Sequence, residues 1–187
     1  MRVIAGTLRG RPLRTPAGTA TRPTADRVRE SLFNLIGPMP DGVRVLDLYA
    51  GSGALGIEAL SRGAMEADFV EANRKAAMVI EENLTHARLQ AKARVHAVDV
   101  FKLLGGWKDR VDLVFADPPY AANSAEDLAG RLLADSSLPK VLGPNGLLVV
   151  EVETERDPPP GKAGWIMQDR RAYGGSAILF YGWEEAA

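Results

Sequence analysis

"VRVLDLYAGSGALGIEALSRG", Val43–Gly63, runs from an apolar segment through a glycine-rich turn into a helical pattern that Gly63 stops. Gly51, Gly53 and Gly56 satisfy the G-x-G-x-x-G spacing, which lets a backbone approach a ligand closely at the mouth of a helix. Glu71 follows 20 positions after Gly51, where an acid that binds ribose hydroxyls belongs. The pattern is shared by nicotinamide cofactors, by other adenosine ligands and by glycines that merely serve a tight strand-to-helix turn.

The same alternation continues outward. "ADFVEAN" reads as a second strand, followed by a helix with Ala76, Ile80, Leu84 and Ala87 on one face. "ARVHAVDV" and "VDLVFADPPY" supply a third and a fourth strand, and "GLLVVEVE" another. "GWIMQDRRAYGG" and "SAILFYGWEE" close the chain as an antiparallel hairpin around a glycine turn. Apolar strands alternating with helices predict an α/β, Rossmann-like fold: a mostly parallel, seven-stranded sheet with helices on both faces.

Upstream, "MRVIAG" and "RGRPLRT" read as a small hairpin and "PAGTATRP" as a loop. A helix is expected next, with Thr24 as N-cap and Asp26 in its first turn. Val28, Leu32, Leu35 and Ile36 form its apolar face before "GPMPDG". The expected organisation is an extension over residues 1–40 and a main domain over 41–187.

Charge is unevenly divided between these parts. The extension carries Arg2, Arg9, Arg11, Arg14, Arg22, Arg27 and Arg29 against Asp26 and Glu30, a balance of +5 in a chain whose total is −1. Guanidinium forks suit phosphate oxygens, so these seven arginines are candidates for holding RNA; a basic but merely solvated surface is the plainer alternative. With no cysteine and two histidines, thiolate chemistry is excluded and no metal site is expected. No signal-peptide core and no apolar run of membrane-spanning length is present, so a soluble, cytoplasmic protein without membrane contact is expected.

Ligands of open parallel sheets sit beyond the carboxyl ends of the strands, and Asp47, Glu71, Asp99 and Asp117 all fall at or near such ends. Asp47, just before the glycine turn, would repel a pyrophosphate but attract a cation such as the aminoacyl sulfonium of S-adenosylmethionine. Asp117, Pro118, Pro119 and Tyr120 fit the same chemistry. An exocyclic base amine is a weak nucleophile because its lone pair is delocalised into the ring. Asp117 and the Pro118 carbonyl can accept its two hydrogens, the prolines fix the backbone, and Tyr120 offers a face on which a flipped base can stack. Asp157, Pro158, Pro159 and Pro160 also begin Asp-Pro-Pro, but they lack the aromatic and follow a charged run, so a stiff turn is expected there.

Together "DLYAGSG", "EAN", "DVF" and "DPPY" resemble the class I S-adenosylmethionine-dependent methyltransferases that modify exocyclic amines. "RVIAGTLRGRPLRTP" and "RPTADRVRESLFNLI" narrow the resemblance to bacterial 16S ribosomal RNA (guanine-N2)-methyltransferases, over essentially the whole chain. The resemblance implies cofactor contacts from Asp47, Gly51 and Gly53, ribose on Glu71, adenine near Asp99 and Val100, and a helix opening at Thr24 that closes over the cofactor. It also implies Asp117–Tyr120 as the catalytic tetrapeptide and the arginine hairpin on 16S RNA. A compact basic extension holds phosphates without reading bases, so a monomer acting within a small subunit is expected. The rivals are an amino-methyltransferase of DNA adenine or protein glutamine, a nicotinamide oxidoreductase, and a non-catalytic RNA-binding assembly factor.

Overall fold

The computed structural model describes residues 1–16, 23–119, 127–155 and 164–184, with backbone alone at 23–25. Tyr120, Arg22, the loop around Thr19 and Asp157–Pro160 lie outside them.

Seven strands form one sheet: β1 (Arg44–Leu48), β2 (Glu66–Val70), β3 (Ala93–His96), β4 (Val111–Ala116), β5 (Leu142–Glu153), β6 (Trp165–Tyr173) and β7 (Ser176–Trp183). Their order is β3-β2-β1-β4-β5-β7-β6. The first five are parallel, and β7 runs antiparallel to both β5 and β6. The helices are α1 (Pro23–Ile36), α2 (Ala54–Ser61), α3 (Arg74–Ala87), α4 (Val100–Gly106), α5 (Leu128–Ala134) and α6 (Leu138–Val141).

The period-2 pattern of the strands divides the interior into two cores. Val45, Leu113, Phe115, Val149, Ile178 and Phe180 face α1, α2 and α3, whereas Leu46, Leu48, Val114, Leu148, Val150 and Leu179 face α4, α5 and α6. Ala76, Ile80, Leu84 and Ala87 are all buried on α3, as their spacing requires, and Asn73 caps that helix through the amides of Lys75 and Ala76.

Three sequence expectations need correction. The first helix begins at Pro23, so Thr24 lies inside its first turn rather than capping it; proline at the first helical position gives up no hydrogen bond. Its inward face carries Phe33 instead of Leu35. Phe33 is fully buried with its ring 5.5 Å from that of Phe115, while Leu35 is 42% exposed. Truncating Phe33 to alanine would cost about 3–5 kcal/mol. The third strand ends at His96, and Asp99 caps α4 by accepting the Lys102 amide, so Val100 is helical and its side chain packs in the second core.

The N-terminal hairpin is irregular, with a bridge between Arg2 and Pro12 and a single 3₁₀ turn at Gly6–Leu8. It is fastened to α2 and α3 by buried polar groups. Glu58 accepts the amides of Ile4 and Ala5 at 2.7 and 2.9 Å, Ser61 donates to the Ala5 carbonyl at 2.6 Å, and Asn83 pairs with both backbone groups of Arg14. Val3 and Leu13 join the same core as α1, so one apolar interior runs under extension and sheet alike. Among the described residues no helix is long and apolar enough to cross a membrane.

Candidate active site

Acids gather along the carboxyl edge of the sheet in strand order: Glu71 beyond β2, Asp47 on β1, Asp117 beyond β4 and Glu151 on β5. Register explains the last three. Asp47 pairs with Phe115, which pairs with Val149, so these three share a face; two residues further on that face come Asp117 and Glu151. Ala116 pairs with Val150, and the next residues therefore leave neighbouring strands side by side.

Above this row lies a cleft of about 660 Å³. Its floor includes Asp47, Asp117, Pro118 and Glu151. The glycine turn from Tyr49 to Ser52 forms one wall, Val28, Arg29 and Leu32 of α1 another, and Tyr173–Ser176 a third. Met1, Thr15 and Pro16 also line it, so the N-terminal segment is part of the site. The Tyr173 hydroxyl lies 2.6 Å from that of Ser31, fixing α1 to the end of β6.

The three glycines of the turn do different work. A Cβ on Gly56 would sit 2.4 Å from the Phe69 ring, and one on Gly53 would press Ile80 and Phe69, so both serve helix-to-sheet packing. Gly51, at φ +57°, has nothing nearer than the Tyr49 carbonyl at 3.9 Å and leaves open space on the cleft side. Both oxygens of Glu71 are engaged behind the turn, accepting the amides of Gly51 at 2.9 Å and Asn73 at 2.8 Å. Each oxygen retains a lone pair that a hydroxyl could use.

Asp47 is 1% exposed, and among the described residues its one hydrogen bond is the Gly56 amide at 2.9 Å. Burial, helped by the nearby Glu71 charge and opposed by that amide, pushes its carboxyl up to about 7. Asp117 is displaced upward as well, first by the protein packed around it and then by the charges of Glu151 and Asp47; cleft water reaches it and tempers the effect. Neither has an ion pair among the described residues. A buried Asp47 and an Asp117 crowded by other acids, both without a cation among the described residues, fit a cationic ligand, and Gly51 leaves the approach clear. The site thus has the features that the methionyl sulfonium and adenosine of S-adenosylmethionine require.

Sequence reasoning brought Asp47, Gly51, Asp117, Pro118 and Pro119 to this cleft. Glu71, Gly53, Asp99 and Val100 support it from behind or lie apart from its lining. Glu151 and Tyr173 went unnoticed, although the alternation Leu147, Val149, Glu151 carries the signal for the first.

Arg29 does not belong with the RNA candidates. It is 4% exposed, donates to the Arg2 carbonyl and to Asp26 at 3.1 Å, and lies 3.8 Å from Glu58. The other described arginines of the extension are exposed. Arg9, Arg11 and Arg14 line a second, shallow cavity with His86; Arg14 pairs with Glu82 at 2.6 Å, Arg11 donates to the His86 carbonyl, and Arg2 lies 3.9 Å from Asp26. Arg27 is exposed on α1.

The strand order, with β7 alone inserted antiparallel, and the cleft over its carboxyl edge define the class I methyltransferase fold. Residues 1–182 match the family described as "Conserved hypothetical protein 95", and the chain belongs to that family. It is 40% identical over 184 residues to "Putative rRNA methyltransferase YlbH" of Bacillus subtilis (strain 168), covering 97% of this chain and 98% of that one. Identity to "Ribosomal RNA small subunit methyltransferase D" of Escherichia coli (strain K12) is 37% over 182 residues, covering 97% and 89%. Among solved structures, "Putative methyltransferase yhhF from Escherichia coli" aligns with a TM-score of 0.79 at 32% identity, covering 100% of this chain and 99% of that one.

Proposed function

We propose that this chain methylates the exocyclic N2 of a guanine in 16S ribosomal RNA, using S-adenosylmethionine. The observation that carries the reading is the row of Asp47, Asp117 and Pro118 beneath one cleft, facing the open side of the Gly51 turn. The relatives named for ribosomal RNA methylation support the substrate class.

When bound, the cofactor supplies a methyl group on a positively charged sulfonium. Asp47, Gly51 and Gly53 would hold its methionyl end, Glu71 its ribose, and the backbone around Asp99 and Val100 its adenine, with Thr24 on the helix that covers them. Asp117 accepts one N2 hydrogen at a carboxylate oxygen and the Pro118 carbonyl accepts the other, localising the nitrogen lone pair. As the nitrogen gains its new bond it becomes acidic, and the Asp117 oxygen takes the proton. Tyr120 stacks on the flipped base. Arg2, Arg9, Arg11, Arg14, Arg22 and Arg27 of the extension at residues 1–40 hold phosphates, and a monomer working on an assembling small subunit in the cytoplasm suits such shape-directed grip.

The test is incubation with labelled S-adenosylmethionine and unmodified small subunits, followed by nucleoside analysis. Label in N2-methylguanosine is expected. Label in another nucleoside or in ribosomal protein would return the substrate to the adenine or glutamine alternatives.

A further inference from the structure

Glu151 has no part in the reaction as described above, yet it stands beside Asp117 on the cleft floor. Its place along the rim decides what it can meet. Reading across the sheet, the order is Glu71 beyond β2, Asp47 on β1, Asp117 beyond β4 and Glu151 on β5. The glycine turn and Glu71 lie on one side of Asp117, and Glu151 lies on the other. A cofactor seated at the glycine turn, with the reacting amine at Asp117, leaves Glu151 to the rest of the target base. The wall there is open: a Cβ on Gly174 or Gly175 would meet nothing within 4 Å.

Base chemistry supplies the rest. In adenine and cytosine the ring nitrogens beside the exocyclic amine offer only lone pairs. Guanine alone has an amine flanked by a ring N–H, so that N1–H and an N2 hydrogen point the same way. Carboxylate oxygens and a backbone carbonyl present acceptors, which matches that paired-donor edge and offers nothing to a bare ring nitrogen. We propose that Glu151 is the residue that selects guanine, its carboxylate accepting N1–H while Asp117 and the Pro118 carbonyl take the N2 hydrogens. The assignment rests on the guanine-N2 reading of the reaction.

The test uses small subunits carrying 2-aminopurine in place of the guanine that the wild-type protein labels. This base keeps the C2 amine but has a lone pair at N1. The wild-type protein is expected to prefer guanine by about 100-fold or more in kcat/KM. In Glu151→Gln the side-chain amide can donate to that lone pair, so the preference should fall by about tenfold or more. S-adenosylmethionine affinity, measured by calorimetry, should stay within about twofold of wild type, because the contact is to the base. An unchanged preference in Glu151→Gln overturns the assignment, as does a large loss of cofactor affinity. A wild-type protein that binds cofactor but labels no guanine overturns the reading of the reaction itself, and the Glu151 assignment falls with it.

Discussion

Two groups of acids in this molecule are treated in opposite ways. Glu58, wholly buried on α2, is met on every side: Arg62 at 2.7 Å, Arg29 at 3.8 Å and the amides of Ile4 and Ala5. Asp47, almost as deep on the preceding strand β1, receives one amide and no cation among the described residues, and Asp117 stands beside another acid. The first arrangement holds the N-terminal hairpin to the domain. The second is costly to the fold and useful only when a positive ligand arrives, which is how function shows itself against structure. Compensation separates the roles better than burial does.

The largest effect expected is at Asp117. Asp117→Ala should lower the initial rate of methyl transfer by about 10²–10⁴-fold while leaving the thermal unfolding midpoint at or above that of wild type. A variant that loses activity only by unfolding would place Asp117 with the structural acids. Glu58→Ala should show the converse. Leaving Arg29 without its buried partner is expected to cost about 3–5 kcal/mol in urea unfolding. A cost below about 1 kcal/mol would mean the knot is solvated and the contrast is false.

Asp47 sharpens the comparison through pH. Its folded-state value, about 7, lies above that of an unfolded aspartate, so the folded state binds the proton more tightly. The associated stability is complete below about pH 4 and is lost as pH rises through 7. Asp47→Asn, which keeps an oxygen for the Gly56 amide, should therefore gain on wild type by roughly 2 kcal/mol between pH 5 and pH 8 in the absence of cofactor. Equal pH profiles for the two proteins would contradict this. The smallest effect concerns the exposed arginines. Arg9→Ala or Arg27→Ala should weaken RNA binding evenly across sequences and reduce the salt slope by about 1, with stability changed by less than about 0.5 kcal/mol.

Much of the site was legible because strand ends and turn glycines are local signals. Asp47, Gly51 and Asp117 follow from the rule that ligands sit beyond parallel strands, together with the alternation of the strands themselves. What was not legible depends on distant partners. Arg29 reads as one more basic residue until Glu58, far along the chain, is seen to draw it inward. On the same helix Phe33 rather than Leu35 meets Phe115, a choice that also depends on a distant strand. Glu151 sat in a plain apolar strand, and its meaning came from β4 lying next to β5.

The most direct test of the contrast is proton exchange on cofactor binding, followed by calorimetry at pH 7 in two buffers of different ionisation enthalpy. With Asp47 near its midpoint, wild type should release more protons on binding S-adenosylmethionine than Asp47→Asn does. Identical proton exchange in the two proteins would show that Asp47 is not held in reserve for the cation, and the account of the rim acids would be wrong.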